Sequence, residues 1–427
     1  MKKTVEIKDY ISSGKMDERL LDIYADEQII EYNRNRYVKA IEKFEELYGE
    51  RDVMICSAPG RSEVGGNHTD HQRGQVLACG LNIDAIAVVA PDSDGIIRIL
   101  SDDFDLDDID INHLSKDEVK DGSSEALVAG VASKLKEDGY DIGGFSAFIT
   151  SDVLMGAGMS SSAAFEVLIG VIFSHLYNEG KIDAVYNAQV AQYAENVYFG
   201  KPCGLMDQMA SSVGSLVNID FKDVKNPVVK KVNVDFDSFN HSLCIVDTKG
   251  SHADLTPEYA AVPAEMKSVA ALFGKEVLRE VPEEEFYKNL NMVREKVGDR
   301  AAIRAIHFYK DHSTVGKQVE ALEAGNFDGF KALIKSSGDS SFKYLQNVYP
   351  VCDLKSQGVA ICIALSERIL GNHGVCRVHG GGFAGTMQAF VENEFVAEYK
   401  KEIEKYFGEG SCHVLKVRKY GGIKVVD

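Results

Sequence analysis

A glycine- and serine-rich stretch at residues 155–164 has the residue types and spacing of a phosphate-binding segment. It lies between a predicted strand at residues 144–150 and an apolar predicted helix at residues 165–177. Its glycines let the backbone approach a ligand, and its three serine hydroxyls lie where a helix leaves its first N–H groups unpaired. The positive end of the helix dipole favours phosphate there. The pattern indicates a nucleotide triphosphate site, although similar turns also occur in α/β proteins without a ligand.

This stretch matches neither of the two common phosphate-binding fingerprints. The P-loop pattern fails because no lysine follows Gly158, and the dinucleotide pattern fails because position 161 is serine. A standard P-loop or Rossmann site is therefore not expected.

A second segment, residues 58–71, places charged and polar side chains between glycines directly after a predicted strand. Side chains that donate to and accept from several hydroxyls suit a sugar. A solvated glycine-rich loop is the plainer interpretation. A metal site at His68, Asp70 and His71 is a weaker one, because no further ligands are spaced to complete it.

Two more segments carry candidate residues. Asp207 lies among apolar residues at a predicted helix start, and Glu195 precedes it on the preceding predicted helix. Taken alone, Asp207 is more typical of an acidic residue in the first turn of a helix than of a catalyst. Glu195 alone is more typical of a surface charge. Residues 378–386 hold four glycines within six positions, which favours a functional loop over a flexible hairpin turn.

Length and charge narrow the classes of protein. The chain has 427 residues, 45% of them apolar, which suggests two domains with real cores. A net charge of −19 argues against a nucleic-acid surface, so any bound anion needs a helix terminus, a few basic residues or a metal ion. We expect no signal peptide and no membrane span. Eight scattered cysteines predict free thiols and a cytoplasmic protein.

The periodicity of apolar residues predicts mixed helices and strands. Residues 14–50 have a helical pattern, and residues 81–90 and 96–100 are predicted to pair as strands around a turn. Helices are predicted at residues 299–310 and 314–324, among others. The polar segment 222–240 is the predicted domain boundary, which divides the chain into residues 1–225 and 240–427.

In combination, these segments resemble the galactokinases of the GHMP small-molecule kinase superfamily. The resemblance runs in order from about residue 30 to about residue 395, through the segments at 60–70, 154–164, 204–208, 256–259 and 378–386. It implies an α+β fold with an N-terminal mixed-sheet domain, a C-terminal ferredoxin-like domain and an active site in the cleft between them. It also implies ATP- and Mg²⁺-dependent phosphorylation of a hexose, galactose foremost, at its 1-hydroxyl.

The resemblance implies a role for each matched position. Asp207 is expected to accept the proton of the sugar hydroxyl, and Arg61 to keep Asp207 ionised and offset charge on the transferred group. The residues expected to bind ATP are Gly156, Ala157, Gly158, Ser160, Ser161 and Ser162. Those expected to hold Mg²⁺ are Glu195 with Ser161 or Ser162. Those expected to bind the sugar are Asn67, His68, Asp70, Gly204 and Tyr259.

The sequence departs from the family pattern at Asn67, where galactokinases usually have a glutamate that faces the 6-hydroxyl. An amide can bond a hydroxyl and can also donate to a carboxylate, so galacturonate is an alternative substrate. A catalytically silent sugar and nucleotide sensor is a third possibility, against which the intact Asp207, Arg61 and Glu195 argue. The partners expected are a sugar and ATP, with no nucleic acid and no membrane. The protein itself is expected to be a monomer.

Overall fold

Two β-sheets and the helices packed on them organise the chain. The structure, a computed structural model, describes residues 1–102, 106–153, 158–234, 236–250 and 255–426. The strands are Lys2–Lys3 (β1), Asp52–Gly65 (β2), Gln75–Asp92 (β3), Ile96–Ser101 (β4), Ile109–Asp110 (β5), Gly144–Ser151 (β6), Leu216–Asp220 (β7), Val228–Val232 (β8), His241–Asp247 (β9), Gly374–Val378 (β10), Thr386–Glu392 (β11), Cys412–Leu415 (β12) and Ile423–Val426 (β13).

Helices cover both sheets. They are Thr4–Ser12 (α1), Asp17–Tyr24 (α2), Ile30–Tyr48 (α3), Ser124–Glu137 (α4), Ser161–Tyr177 (α5), Ala184–Tyr193 (α6), Met206–Val213 (α7), Thr256–Leu272 (α8), Glu283–Lys288 (α9), Leu290–Val297 (α10), Asp299–Glu323 (α11), Phe327–Ser340 (α12), Gly358–Leu370 (α13) and Val396–Phe407 (α14). Two π-helical turns, Ala194–Phe199 and Ser341–Leu345, follow α6 and α12 directly. No helix in the described ranges is long and apolar enough to cross a membrane.

The first sheet is mixed and carries helix α5, which follows the serine-rich segment. Its main path runs β1-β2-β3-β6-β4-β5, and β4 pairs with β6 in parallel. The prediction that β3 and β4 pair with each other is wrong, because β6 lies between them. Pairing across a sheet depends on tertiary packing, which the short turn between two strands does not reveal. Helix α5 is buried along residues 163–174, as its nearly unbroken apolar sequence requires.

The second sheet has the predicted ferredoxin-like topology. Its order is β10-β11-β9-β12, and all three pairings are antiparallel. Helices α13 and α14 cover one face through a core that includes Cys362, Leu370, Tyr399 and Ile403. The α+β class and the two-sheet organisation predicted from the resemblance are therefore confirmed.

Two strands bear on the predicted division of the chain at residues 225 and 240. Strand β8 falls within the predicted boundary segment, yet it pairs with β7 of the first sheet. The C-terminal strand β13 also returns to the first sheet, where it pairs with β2. A division by sheet therefore assigns β13 to the N-terminal half.

Two groups of predicted elements have different limits in the structure. The predicted helical region 14–50 is two helices, α2 and α3. The predicted helices 299–310 and 314–324 form one helix, α11. Its polar residues at 311–313 do not break the helix, because Asp311 accepts a bond from the Asn67 N–H at 2.8 Å and His312 accepts one from the Gln75 N–H at 3.0 Å.

Candidate active site

An ion pair between Arg61 and Asp207 lies at the centre of the predicted site. The Arg61 Nε and Nη2 donate to the two Asp207 carboxylate oxygens at 2.7 and 2.6 Å. Ser160 Oγ donates to the same carboxylate at 2.8 Å. A bidentate pair of this kind fixes orientation as well as charge. The two residues expected to act together are therefore in direct contact, although 146 positions separate them.

Local structure explains how each member of the pair is held. Arg61 was expected in a loop after a strand, but β2 continues through Gly65 with register shifts at Pro59/Arg61 and Glu63/Gly65. Such bulges turn a side chain out of its regular direction. Asp207 lies in the first turn of α7. Burial acts to raise the pKa of Asp207, but the Arg61 guanidinium and the Ser160 hydroxyl outweigh it and hold that pKa below its usual value.

The N-terminus of α5 faces this ion pair. Ser161 is the first residue of the helix, and Ser160 precedes it with a left-handed backbone at φ 58°. Gly158 has φ 68°, and its carbonyl oxygen accepts a hydrogen bond from Arg61 Nη1. A side chain at Gly158 would collide with Thr386 Oγ1 of the second sheet, 2.5 Å from the Cβ position. Gly156 and Ala157, also predicted to bind ATP, lie outside the described residues.

Glu195 meets Ser162 beside the same helix end. It lies in a π-helical turn, a feature that is frequent at functional sites. Ser162 Oγ donates to Glu195 Oε1 at 3.4 Å, and Gln208 Nε2 donates to the other oxygen at 2.7 Å. One carboxylate and one hydroxyl are hard oxygen ligands of the kind Mg²⁺ accepts together with phosphate and water. The bond from its hydroxyl to Glu195 favours Ser162 of the two predicted serine ligands.

The residues expected to bind the sugar come from three parts of the chain. Asp70 lies against Gly204, where an added Cβ would be 1.9 Å from the Asp70 Oδ2 atom. His68 Nε2 bonds the Gly381 carbonyl at 3.0 Å. Tyr259 donates to the Gly382 carbonyl at 2.8 Å. The glycine-rich segment at residues 378–386 thus holds His68 and Tyr259 through its backbone carbonyls.

Asn67 has a different position from the one predicted. Its side chain is completely buried, and the amide nitrogen donates to Glu63 Oε1 at 3.0 Å and to the Gly380 carbonyl at 2.7 Å. Its Oδ1 accepts bonds from Ser341 at 3.1 Å and from Asn347 at 2.8 Å. Every polar atom of the amide is bonded within the protein, so the structure shows no free group that could face a sugar.

Sequence reasoning missed several charged and polar side chains of the site. Arg377 and Glu63 form a buried ion pair at 2.7 Å, on strands whose alternation gives no sign of it. Glu166 is the one charged residue in the apolar run of α5, which is a signal that could have been read. Burial and the charge of Glu195 raise its pKa well above the usual value. Lys201 bonds Glu195, and nothing in its local sequence marks it.

Two family signatures cover the part of this site that comes from the first half of the chain. Residues 42–91 match the galactokinase galactose-binding signature, and residues 126–215 match the GHMP kinases N-terminal domain. The chain is 32% identical to a galactokinase of Streptomyces coelicolor over 88% of this chain and 94% of that one. A galactokinase of Glaesserella parasuis is 29% identical over 86% of this chain and 92% of that one.

Solved structures share the fold. Lactococcus lactis galactokinase complexed with galactose has a TM-score of 0.78 at 23% identity, covering 90% of this chain and 98% of that one. A mevalonate kinase has a TM-score of 0.60 at 15% identity, covering 86% and 99%. The fold and the site together define a two-domain small-molecule kinase of the GHMP class. The chain belongs to the galactokinase family, as its 32% identity to a galactokinase over nearly the whole of both chains shows.

Proposed function

We propose that this protein transfers the γ-phosphoryl group of ATP to the 1-hydroxyl of galactose, with Mg²⁺ as cofactor. The observation that carries the proposal is the bidentate bond between Arg61 and Asp207 beside the N-terminus of α5. Asp70 and Gly204 lie in contact on the predicted sugar side. Relatives that bear the name galactokinase, one of them solved with galactose, support this choice of sugar.

The arrangement suits the demands of phosphoryl transfer, which depends on alignment and charge compensation more than on covalent help. Asp207 would accept a hydrogen bond from the attacking 1-hydroxyl and direct it at the γ-phosphorus. A carboxylate with a lowered pKa is a weak base, so we assign Asp207 mainly to orientation, with proton transfer following bond formation. The Arg61 guanidinium would offset charge that develops on the transferred group.

The phosphates belong at the N-terminus of α5, where unpaired N–H groups and the helix dipole favour an anion. We assign this role to Gly158, Ser160 and Ser161, together with the undescribed Gly156 and Ala157. Glu195 and Ser162 fit Mg²⁺, which when bound there would neutralise phosphate charge. His68 and Tyr259 would complete the sugar side of the cleft.

We further propose that the enzyme is a cytoplasmic monomer without nucleic-acid partners. All eight cysteines are free thiols, and six of them are buried, which suits a reducing compartment. Size-exclusion chromatography with light scattering would measure the oligomeric state directly.

The decisive experiment measures ADP release from purified protein with galactose, galacturonate and no sugar, each with ATP and Mg²⁺. We expect turnover with galactose and none above background with galacturonate, because the Asn67 amide already donates to Glu63 and to the Gly380 carbonyl and has no N–H left for the sugar carboxylate. Asp207→Ala should abolish turnover while ATP binding, followed by calorimetry, persists.

Each rival function predicts a different result in this assay. Turnover with galacturonate alone would identify a uronic acid kinase. Binding of sugar and ATP by the wild type without any ADP release would identify a sensor. Undiminished turnover by Asp207→Ala would remove that residue from the mechanism.

A further inference from the structure

Lys201 places a positive charge on a carboxylate predicted to bind metal. Its Nζ lies 3.0 Å from Glu195 Oε1, the oxygen that also accepts the Ser162 hydroxyl. The other carboxylate oxygen is held by Gln208. The ammonium therefore bonds the same Glu195 oxygen as the Ser162 hydroxyl, which is the other proposed Mg²⁺ ligand.

The backbone keeps Lys201 close to Glu195 while its side chain stays free to move. The Lys201 N–H donates to the Glu195 carbonyl at 3.1 Å, just after Gly200 ends the π-helical turn with φ 82°. The Lys201 side chain is 63% exposed, whereas that of Glu195 is 5% exposed. An exposed lysine can exchange one anionic partner for another, but the buried Glu195 cannot leave its position.

The charge balance of the site indicates what the positive charge of Lys201 does. The protein carries a net charge of −19, yet it has to hold a triphosphate beside acidic side chains. Arg61 is committed to Asp207 by two hydrogen bonds. Lys201 is a second basic side chain beside the N-terminus of α5, where it bonds the Glu195 carboxylate. Its charge also acts on Asp207, as expected for an ammonium inside the cleft.

We propose that Lys201 is a positioning residue for the nucleotide: it neutralises Glu195 when Mg²⁺ is absent and turns to the phosphate oxygens when the nucleotide binds. This inference rests on the proposed function. Mg²⁺ at Glu195 would repel the ammonium, and the phosphates of a bound nucleotide would offer it another anionic partner. Lys201 would thereby hold a nucleotide even without metal, at a point Arg61 cannot reach while it is paired with Asp207.

Calorimetric titration with ADP, in EDTA and in excess Mg²⁺, tests the proposal without any turnover. Lys201→Met should weaken ADP binding in EDTA by about tenfold or more, the value of one hydrogen bond between charged groups. Lys201→Arg should restore most of that loss, because it keeps the charge. Lys335→Met is the matched control, since Lys335 forms an equally short 3.0 Å pair with Glu367 and is similarly exposed at 57%, but lies on α12.

The outcomes separate this proposal from the function on which it rests. Equal ADP affinity of Lys201→Met and wild type in EDTA would overturn it, as would a wild type that binds ADP only with Mg²⁺. A wild type that binds no ADP under either condition would instead refute the proposed kinase function. An equal loss in Lys201→Met and Lys335→Met would show that neither effect is specific, and would also overturn the proposal.

Discussion

The contact between Gly204 and Asp70 allows a sharp test of the sugar site. A Cβ at position 204 would lie 1.9 Å from Asp70 Oδ2 and 2.9 Å from its Cγ, whereas ordinary contacts begin near 3.4 Å. Gly204→Ala therefore has to move the Asp70 carboxylate by about 1.5 Å, a displacement large enough to cost about a hundredfold in rate where alignment matters. The Asp70 side chain is only 10% exposed, so it has little room to retreat.

Steady-state ADP release measures the consequence. We expect kcat/KM for galactose to fall by about a hundredfold in Gly204→Ala, mostly through KM, because the lost contact is to the sugar. The affinity for ADP should stay within about twofold of wild type, since helix α5, the proposed phosphate site, is untouched. Gly316→Ala on α11 is the control, because an added Cβ there meets nothing within 4 Å.

A double variant then tests the assigned cause. If the alanine acts by displacing the carboxylate, Asp70→Ala combined with Gly204→Ala should be no worse than Asp70→Ala alone. Losses that simply add would show that the methyl group acts on something else. Wild-type kcat/KM in Gly204→Ala would refute the placement of Asp70 at the sugar.

Two further predictions concern pH. The pKa of Asp207 is lowered below 3.8, so its carboxylate stays ionised until the pH falls through that lowered value. The pH profile of kcat/KM should therefore show no acidic limb from this residue down to about pH 4. A limb near neutrality that Asp207→Asn removes would contradict this expectation. Burial raises the pKa of Glu63 from 4.5 to about 7, against the Arg377 charge, so its contribution to stability is full below pH 4.5 and is lost as the pH rises through 7. Urea unfolding across that range should show the decline in wild type and a flatter profile in Glu63→Gln; identical slopes would refute it.

The sequence predicts the parts of this protein that local patterns encode. The helix after the serine segment and the order of the motifs follow from periodicity and resemblance. The partners of β6 and the unbroken helix α11 do not, because they depend on contacts from distant parts of the chain. Asp311 illustrates the difficulty: a polar residue that suggests the end of a helix is instead buried and bonded to the Asn67 N–H.

The same limit applies inside the site. Arg61 and Asp207 could be predicted as partners because each belongs to a motif with an implied role. Glu63 and Arg377 could not, because a buried ion pair between two strands leaves no periodic trace in either. Lys201 also lacked a signal, since a lysine after a helix-ending glycine is typical of any exposed turn.

The buried pair explains why position 67 carries an amide in this protein. Asn67 must donate to Glu63 and Gly380 while it accepts from Ser341 and Asn347, and only a side chain with both donors and acceptors can do so. A glutamate at 67 would oppose the Glu63 carboxylate about 3 Å away in a buried setting, where like charges repel strongly. Arg377 bonds the Glu63 carboxyl at 2.7 Å, four residues before Asn67 in the chain. The bonds that the Asn67 amide makes within the protein therefore account for the amide at position 67 and require no change of substrate.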